Sequence, residues 1–591
     1  MRNAFGEVHH NLIKSILKYH HIPDTLIDLI SCLYENFYTC ILTSEYCTEF
    51  IAVKRGVLQG DPFSPLIFNL CFNTFINYIK SEEYHQLGYR MGPNFSPRHW
   101  FQFADDATIT TTNEKENQLL LNCFTRWCQW CHMIIRVDKC CTFGIRKAHT
   151  SSVQYLPKLI VNSDRIPPVE INNTFTYLGR DFNFLMDDTT HKEELVNTTN
   201  NLLSIIENLP LTPKNKCLIY QRYVLSKISW DLTVTEIGKT WVVQNLDRII
   251  QHHIRKWFEI PIAGTLDTLM LPRKHYGIAL LLASQKFIQC QTVKRNALKK
   301  SPNEDIIKLH QSTCYGKNIQ FDMFNSSQEV MKSIHHDKKS RLENTLKTQG
   351  FIITSIIRDS LQVTSTIWLK MQSSLPKNIY SFTMRYLNNT LATRGNLSLW
   401  KLHPNSLCSL CLQHESLLHV VAGCKEYLNQ GRFTWRHDSV IYYLAKVLSS
   451  ENRSIYADIE QHKSPSFITG IEYRPDLLVV YNETLYVLEL TVGFETNMIK
   501  NGIRKEERYK DLIATLRTKY SNVKLINLSL GSLGIFSKPC KSFFHMLKDL
   551  DFNESENNTI VKKIMNICVR TTYYIFCRRN KDWLIEELFK Y

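Results

Sequence analysis

The segment Trp100 to Thr112 alternates aromatic and β-branched side chains around Phe103-Ala104-Asp105-Asp106. This pattern predicts a hairpin with both aspartates near its tip. No other stretch restricts the fold as much, because helical patterns bound the hairpin on both sides. Upstream, Pro62 and Pro65 stand where a helix accepts proline, at its start, and Leu66, Phe68, Leu70, Phe72 and Ile76 give that helix a wide apolar face. Downstream, helix resumes by about Glu116. Residues 39–55 add two strands around a polar turn near Ser44-Glu45. The first part of the chain is therefore α+β.

From about 186 to 310 the pattern is mostly helical, with Leu202, Leu203, Ile206, Leu209, Leu246, Ile249 and Ile250 at helical spacing. Polar stretches at 300–304 and 334–348 read as linkers. A cysteine-rich segment occupies 408–424, strands return at 476–492, and a charged helix covers 498–519. The polar run Asn553 to Asn558 reads as a loop before a basic, aromatic helical tail. At roughly 150 residues per domain, 591 residues make a multidomain α+β protein. The expected divisions are 1–185, 186–310, 311–400, 401–430, 431–552 and 553–591.

A formal charge of +16 and a pI near 9.0 on a chain that is 44% hydrophobic point to a globular protein with a polyanionic partner, the alternative being charge that only aids solubility. The 18 cysteines are spread along the chain, often in apolar runs such as those of Cys71 and Cys123. That suits reduced thiols in an intracellular protein better than a disulfide scaffold. The first ten residues hold no apolar signal core, and no segment approaches the ~20 apolar residues of a membrane helix.

Adjacent aspartates at a hairpin tip supply part of the carboxylate cage that nucleotidyl transfer needs around two divalent ions. Alone, Asp105 and Asp106 would be an ordinary solvated turn. Upstream, however, lies Arg55-Gly56-Val57-Leu58-Gln59-Gly60-Asp61-Pro62-Phe63-Ser64-Pro65. Its glycines let backbone approach a bulky ligand, and its prolines launch a helix. This stretch resembles the QG..xSP box of reverse transcriptases, followed by their (Phe/Tyr)-Ala-Asp-Asp box. Trp127 to Phe143 with Lys139 resembles the next box, whose lysine lies near the incoming triphosphate. Phe175-Thr176-Tyr177-Leu178-Gly179 resembles the primer-grip box. Arg2-Asn3-Ala4-Phe5 matches the tail of the box that opens the palm. By the resemblance Asp105 and Asp106 bind Mg²⁺ or Mn²⁺, Phe5 excludes a ribose 2′-hydroxyl, and Arg55, Gln59, Gly60, Lys139 and Gly179 contact substrate. The aspartate that precedes the opening box in that family would fall immediately before Met1. The expectation is therefore a truncated copy that lacks polymerase activity as written.

Cys408, Cys411, His419 and Cys424 form C-x2-C-x7-H-x4-C, four soft or borderline ligands in one short loop, as a tetrahedral Zn²⁺ site requires. Four protein ligands leave no open position, so the expected role is structural. His414 lies inside the loop as a competing ligand.

Arg474-Pro475-Asp476 through Leu488-Glu489 reads as a hairpin with a two-residue turn at Asn482-Glu483. If Tyr481 pairs with Thr484, Asp476 stands opposite Glu489, about 5 Å away across an otherwise apolar strand pair. Like charges there favour an intervening Mg²⁺, unless both carboxylates lie at a solvated edge. Lys505 and Tyr509 share a face of the next helix, and a lysine beside a scissile phosphate stabilises developing charge. The set Asp476, Glu489 and Lys505 is similar to PD-(D/E)xK nucleases, with Thr491 where their lysine usually stands.

The order of polymerase boxes, knuckle and Arg-Pro-Asp element resembles the restriction-like-endonuclease class of non-LTR retrotransposon reverse transcriptases, known for insertion into repeated genes such as ribosomal DNA. In that class an Arg-His-Asp element precedes the nuclease core. Arg436-His437-Asp438 stands in that place, and a charged helix start is the alternative. The resemblance implies a partial right-hand palm, a helical thumb over 186–310, a helical linker, a CCHC zinc knuckle over 401–430, an endonuclease over 431–552 and a basic tail. It implies an RNA-directed DNA polymerase with a DNA endonuclease, acting in the nucleus on the element's RNA template and target DNA, with Arg436, His437, Arg474 and Tyr509 near the nucleic acid. Two rivals remain: a nicking enzyme with a relic polymerase, and a non-catalytic nucleic-acid-binding protein derived from an element.

Overall fold

The computed structural model describes residues 4–35, 37–58, 60–147, 151–312, 319–345 and 348–583. Gln59 lies outside the described residues. The chain separates into two compact units, one of residues 1–194 with 234–236 and 298–314, the other of 195–233, 237–297 and 315–591.

In the first unit, β1 (Tyr38–Thr39) and β2 (Ile51–Ala52) pair antiparallel, and a further bridge joins Leu42 to Cys47 around the expected turn. Helix α1 (Ser64–Ile79) follows, with proline in its first turn. Its apolar face buries Ile67, Phe68, Cys71, Phe72, Phe75 and Ile79, whereas Leu66 is 55% exposed. The inward face is rotated from the expected one because 3.6-residue periodicity carries 68, 72, 75 and 79 together. Strands β3 (Trp100–Phe103) and β4 (Asp106–Ile109) form the predicted hairpin, and α2 (Glu114–Trp130) packs Leu120, Phe124 and Trp127 into the same core. Trp100 sits edge-on to Phe75 at 4.8 Å, which fixes the base of the hairpin to α1. Farther on, β5 (Phe175–Tyr177) and β6 (Arg180–Phe182) meet in a two-residue turn whose Leu178 and Gly179 both have positive φ, as a type I′ hairpin requires.

The second unit is built around one core that runs from Leu195 to Phe576. The divisions expected at 400, 430 and 552 fall inside this packed unit, whereas 310 lies in the segment 298–314 of the first unit. Residues 334–344, expected as linker, belong to the helix Ser327–Asn344, started by the Ser326 side chain. Its polar composition is that of an exposed helix face.

Helix α3 (Arg432–Leu448) leads into a four-stranded sheet of β7 (Ser454–Ala457), β8 (Leu477–Tyr481), β9 (Thr484–Gly493) and β10 (Asn522–Gly531), in that order. The first three strands run antiparallel in succession, and β10 is parallel to β9 after a crossover through α4 (Met498–Leu516). Leu478, Leu485, Val487 and Val523 pack under Tyr509, Leu512, Ile513 and Leu516 of α4. The other face sends Leu477, Val479, Leu488, Leu490, Ile526 and Leu528 into the main core. Covering on both faces explains the nearly continuous apolar runs. After α5 (Lys541–Asp549), Asn553 opens a capping box for α6 (Glu554–Cys577), so the polar run read as a loop is the first turn of a helix. That helix buries Ile560, Val561, Ile564, Cys568 and Ile575. The expected tail is an integral core element.

Candidate active sites and metal centre

In the first unit, a cleft of about 560 Å³ is lined by Phe5, Pro65, Asn69, Phe72, Asn73, Ile76, Gln102, Phe103 and Ala104. Phe5 arrives there because the N-terminal segment lies along Arg55 to Val57: Gly56 N–H donates to the Val8 carbonyl and Val57 N–H to the Phe5 carbonyl, each at 2.7 Å. The Phe5 ring stacks on Phe68 at 4.3 Å. Ala104 holds a left-handed backbone, φ 50°, in the turn before Asp106. Gln102 Nε2 donates to the Ala104 carbonyl at 2.6 Å, and its Oε1 accepts from the Trp100 indole at 3.0 Å. A relay of this kind orients the turn that carries Asp105, which is half-buried, and Asp106, which is exposed. Neither Gln102 nor the Asn69 and Asn73 pair stood out in the sequence; their one-turn spacing on the face of α1 was the available signal.

Arg55 pairs with Glu7 at 3.0 Å. Gly60 has φ 94° before the helix. Lys139 is exposed on a single turn, Val137–Lys139, and Gly179 sits in the second hairpin. Neither lines the cleft.

In the second unit, Cys408, Cys411, His419 and Cys424 bring one ligand atom each to within 4.8 Å of all the others. Cys411 Sγ lies 3.3 Å from His419 Nε2 and 3.7 Å from Cys424 Sγ. A turn in which Cys408 N–H donates to the Gln413 carbonyl gathers the first two thiols, and an irregular helical turn at His419–Gly423 presents the others. The expected set is assembled, and the exposed His414 stands outside it. Burial and the neighbouring thiols push Cys424 up to about 12. Three thiols and one imidazole at this separation suit Zn²⁺.

The hairpin β8–β9 has the expected register: Tyr481 pairs with Thr484 and Leu477 with Leu488. Asn482 and Glu483 in the turn both have positive φ. One step beyond the last pair, Asp476 stands across from Glu489. Asp476 Oδ2 accepts from Leu490 N–H at 2.7 Å. Glu489 is 1% exposed and accepts from Lys505 Nζ at 2.5 Å. Burial first, then the charge of Asp476, pushes Glu489 up to about 7 against the pull of Lys505. Among the described residues its Oε1 is buried with no hydrogen-bond partner. Such an atom costs about 1–3 kcal/mol unless something satisfies it. A hard cation between the two carboxylates would do so, and the oxygen donors fit one.

His437 bridges from α3, with Nε2 3.3 Å from Asp476 and Nδ1 3.0 Å from Asp438. Arg436 instead is enclosed in the core, donating to Thr572 Oγ1 at 3.1 Å and the Val492 carbonyl at 3.0 Å. Tyr509 is likewise buried, and its hydroxyl donates to the Arg474 carbonyl at 3.1 Å, while the Arg474 side chain is exposed. Of the four residues expected near nucleic acid here, Arg474 is exposed and His437 half-buried, whereas Arg436 and Tyr509 are buried and brace the site from within.

A family model described as reverse transcriptase (RNA-dependent DNA polymerase) matches residues 1–181. A Pol polyprotein from the type-2 retrotransposable element R2DM of Drosophila melanogaster is 23% identical over 279 residues, 47% of this chain and 25% of that protein. Two Pol polyproteins from type-1 R2 elements are similar over more of the chain. The one from Popillia japonica is 24% identical over 510 residues, covering 84% of this chain and 78% of the relative. The one from Bradysia coprophila is 20% identical over 563 residues, covering 90% and 60%. The matches thus span between 25% and 78% of the length of these relatives.

Proposed function

Because residues 1–181 are a reverse transcriptase domain in a chain homologous to the Pol polyproteins of R2 non-LTR retrotransposons, we propose that the protein couples RNA-directed DNA synthesis to metal-dependent nicking of target DNA. The nick leaves a 3′-hydroxyl, and extension of that hydroxyl on the element's RNA is target-primed reverse transcription. The observation that carries the nuclease half is Asp476 facing Glu489, with Lys505 on one carboxylate oxygen and the other buried and unpaired.

A divalent ion held by Asp476 and Glu489 would supply a Lewis acid for the scissile phosphate. The Lys505 ammonium stabilises charge developing on that phosphate, His437 holds Asp476 in place, and exposed Arg474 contacts the adjoining backbone. The closed Cys₃His set holds Zn²⁺ as a structural strut. In the polymerase half, Asp105 and Asp106 are the metal-binding carboxylates and Phe5 reads the sugar. Nuclear location follows from a chromosomal target.

The test is nicking of a supercoiled plasmid carrying ribosomal repeats, with Mg²⁺ or Mn²⁺. Relaxed circles are expected from the wild type and none from Asp476→Ala, with DNA binding unchanged. Salt-sensitive binding without any nicking by the wild type would overturn the reading in favour of a phosphate-backbone binder.

A further inference from the structure

Strand β10 runs parallel to β9 with Asn527 level with Glu489. Asp476, Glu489 and Asn527 thus form one row across three neighbouring strands, all on the face covered by α4. Asn527 is 3% exposed. Its Nδ2 donates to the Gly502 carbonyl and to Glu506 Oε1, each at 2.9 Å. Those acceptors fix the amide: flipping it would turn the side-chain oxygen against two other oxygens. Gly502 is required for the close approach, since a Cβ there would come 3.1 Å from Asn527 Nδ2.

With both amide hydrogens committed to α4, Asn527 Oδ1 is left buried with no hydrogen-bond partner among the described residues, and so is Glu489 Oε1 beside it in the row. Two unpaired oxygen acceptors at adjacent positions of one sheet face are what a packed interior avoids. They are also what a hard cation collects, because Mg²⁺, Mn²⁺ and Ca²⁺ take carboxylate and amide oxygens together. A neutral amide adds a ligand without adding to the repulsion between Asp476 and Glu489.

We propose that Asn527 Oδ1 is a third protein oxygen of the divalent-cation site formed by Asp476 and Glu489. This inference rests on the nuclease reading above. It makes the crossover strand β10, and not only the β8–β9 hairpin, part of the site.

The experiment is Mn²⁺ titration of the full-length chain, followed by the electron paramagnetic resonance of free Mn²⁺, for the wild type, Asp476→Ala, Asn527→Ala and Asn527→Asp. The ion lost in Asp476→Ala defines the site and separates it from Mn²⁺ held elsewhere. Asn527→Ala is expected to weaken that ion about 10–100-fold, and Asn527→Asp to bind it more tightly. An unchanged affinity in both Asn527 variants overturns the proposal and leaves the nuclease reading standing. Absence of any Asp476-dependent ion from the wild type overturns both. Should Asn527→Ala fail to fold by circular dichroism, Asn527→Asp decides alone: tighter binding supports the assignment and equal binding overturns it.

Discussion

The imidazole of His437 joins Asp476 to Asp438, its two ring nitrogens lying 3.3 and 3.0 Å from the carboxylates. Burial opposes a charged ring there, but hydrogen bonds to both aspartates, with their charges, outweigh it and push His437 up to about 10. A ring favoured in its charged form donates on both sides, to Asp476 and to Asp438. Asp476 also takes the Leu490 N–H, so its carboxylate is held from a helix and from a strand at once.

That arrangement makes His437 a positioning residue. Replacing it with alanine should lower Mg²⁺-dependent nicking about 10–100-fold, as loss of groups that orient metal ligands generally does. Asp476 remains in the variant, so excess Mg²⁺ should restore part of the rate. Wild-type nicking by His437→Ala at limiting Mg²⁺ would remove the role.

The Cys408, Cys411, His419 and Cys424 set predicts one tightly held zinc per chain by elemental analysis, lost in Cys411→Ser. The knuckle is laced to the end of α6: Tyr427 OH donates to the Arg579 carbonyl, Ser409 Oγ to Asn580 Oδ1 at 3.2 Å, and Arg432 to the Arg578 and Lys581 carbonyls at 2.9 and 3.0 Å. Chelating the zinc should therefore expose residues 578–583 to proteolysis before the rest of the unit unfolds. If these bonds sit slack, trypsin will cut there equally with and without zinc.

The sequence was legible where a tight turn sets the geometry. Positive φ at Asn482 and Glu483 fixes the β8–β9 register, and from that turn alone Asp476 could be placed opposite Glu489. No short turn ties β10 to β9, because a parallel neighbour needs a crossover. Asn527 could therefore not be aligned beforehand, although a lone amide among Leu525, Ile526 and Leu528 was a signal. Polarity misled at Ser327–Asn344 and Glu554–Asn558, where exposed faces and first turns of helices are as hydrophilic as loops. The resemblance implies Arg436 and Tyr509 near nucleic acid, yet each finds its partners inside the core.

Glu495 supplies a pH signature away from the proposed cation site. It is fully buried, accepting from Tyr386 OH and from Leu533 N–H at 2.9 Å. Burial raises its carboxyl above the ordinary 4.5. A carboxyl raised on folding contributes stability that is present below 4.5 and is lost as pH climbs through the folded value. The wild type should thus lose thermal stability above pH 4.5 relative to Glu495→Gln, which stays neutral and can still accept. Parallel melting-temperature profiles for the two proteins would contradict this.

Gly56 and Gly60 both hold left-handed backbone, φ 96° and 94°, but only one is crowded. A Cβ on Gly56 would lie 2.8 Å from the Gly6 carbonyl oxygen, whereas one on Gly60 meets nothing within 4 Å. Alanine at 60 therefore adds conformational strain alone, about 1–2 kcal/mol. Alanine at 56 adds that strain and a clash with the segment delivering Phe5 to the cleft, about 2–4 kcal/mol in all. Urea unfolding of the first unit, followed by the fluorescence of Trp100 and Trp127, should rank Gly56→Ala below Gly60→Ala. Equal midpoints would mean that the N-terminal segment yields to the added methyl and that its hold on Phe5 is loose.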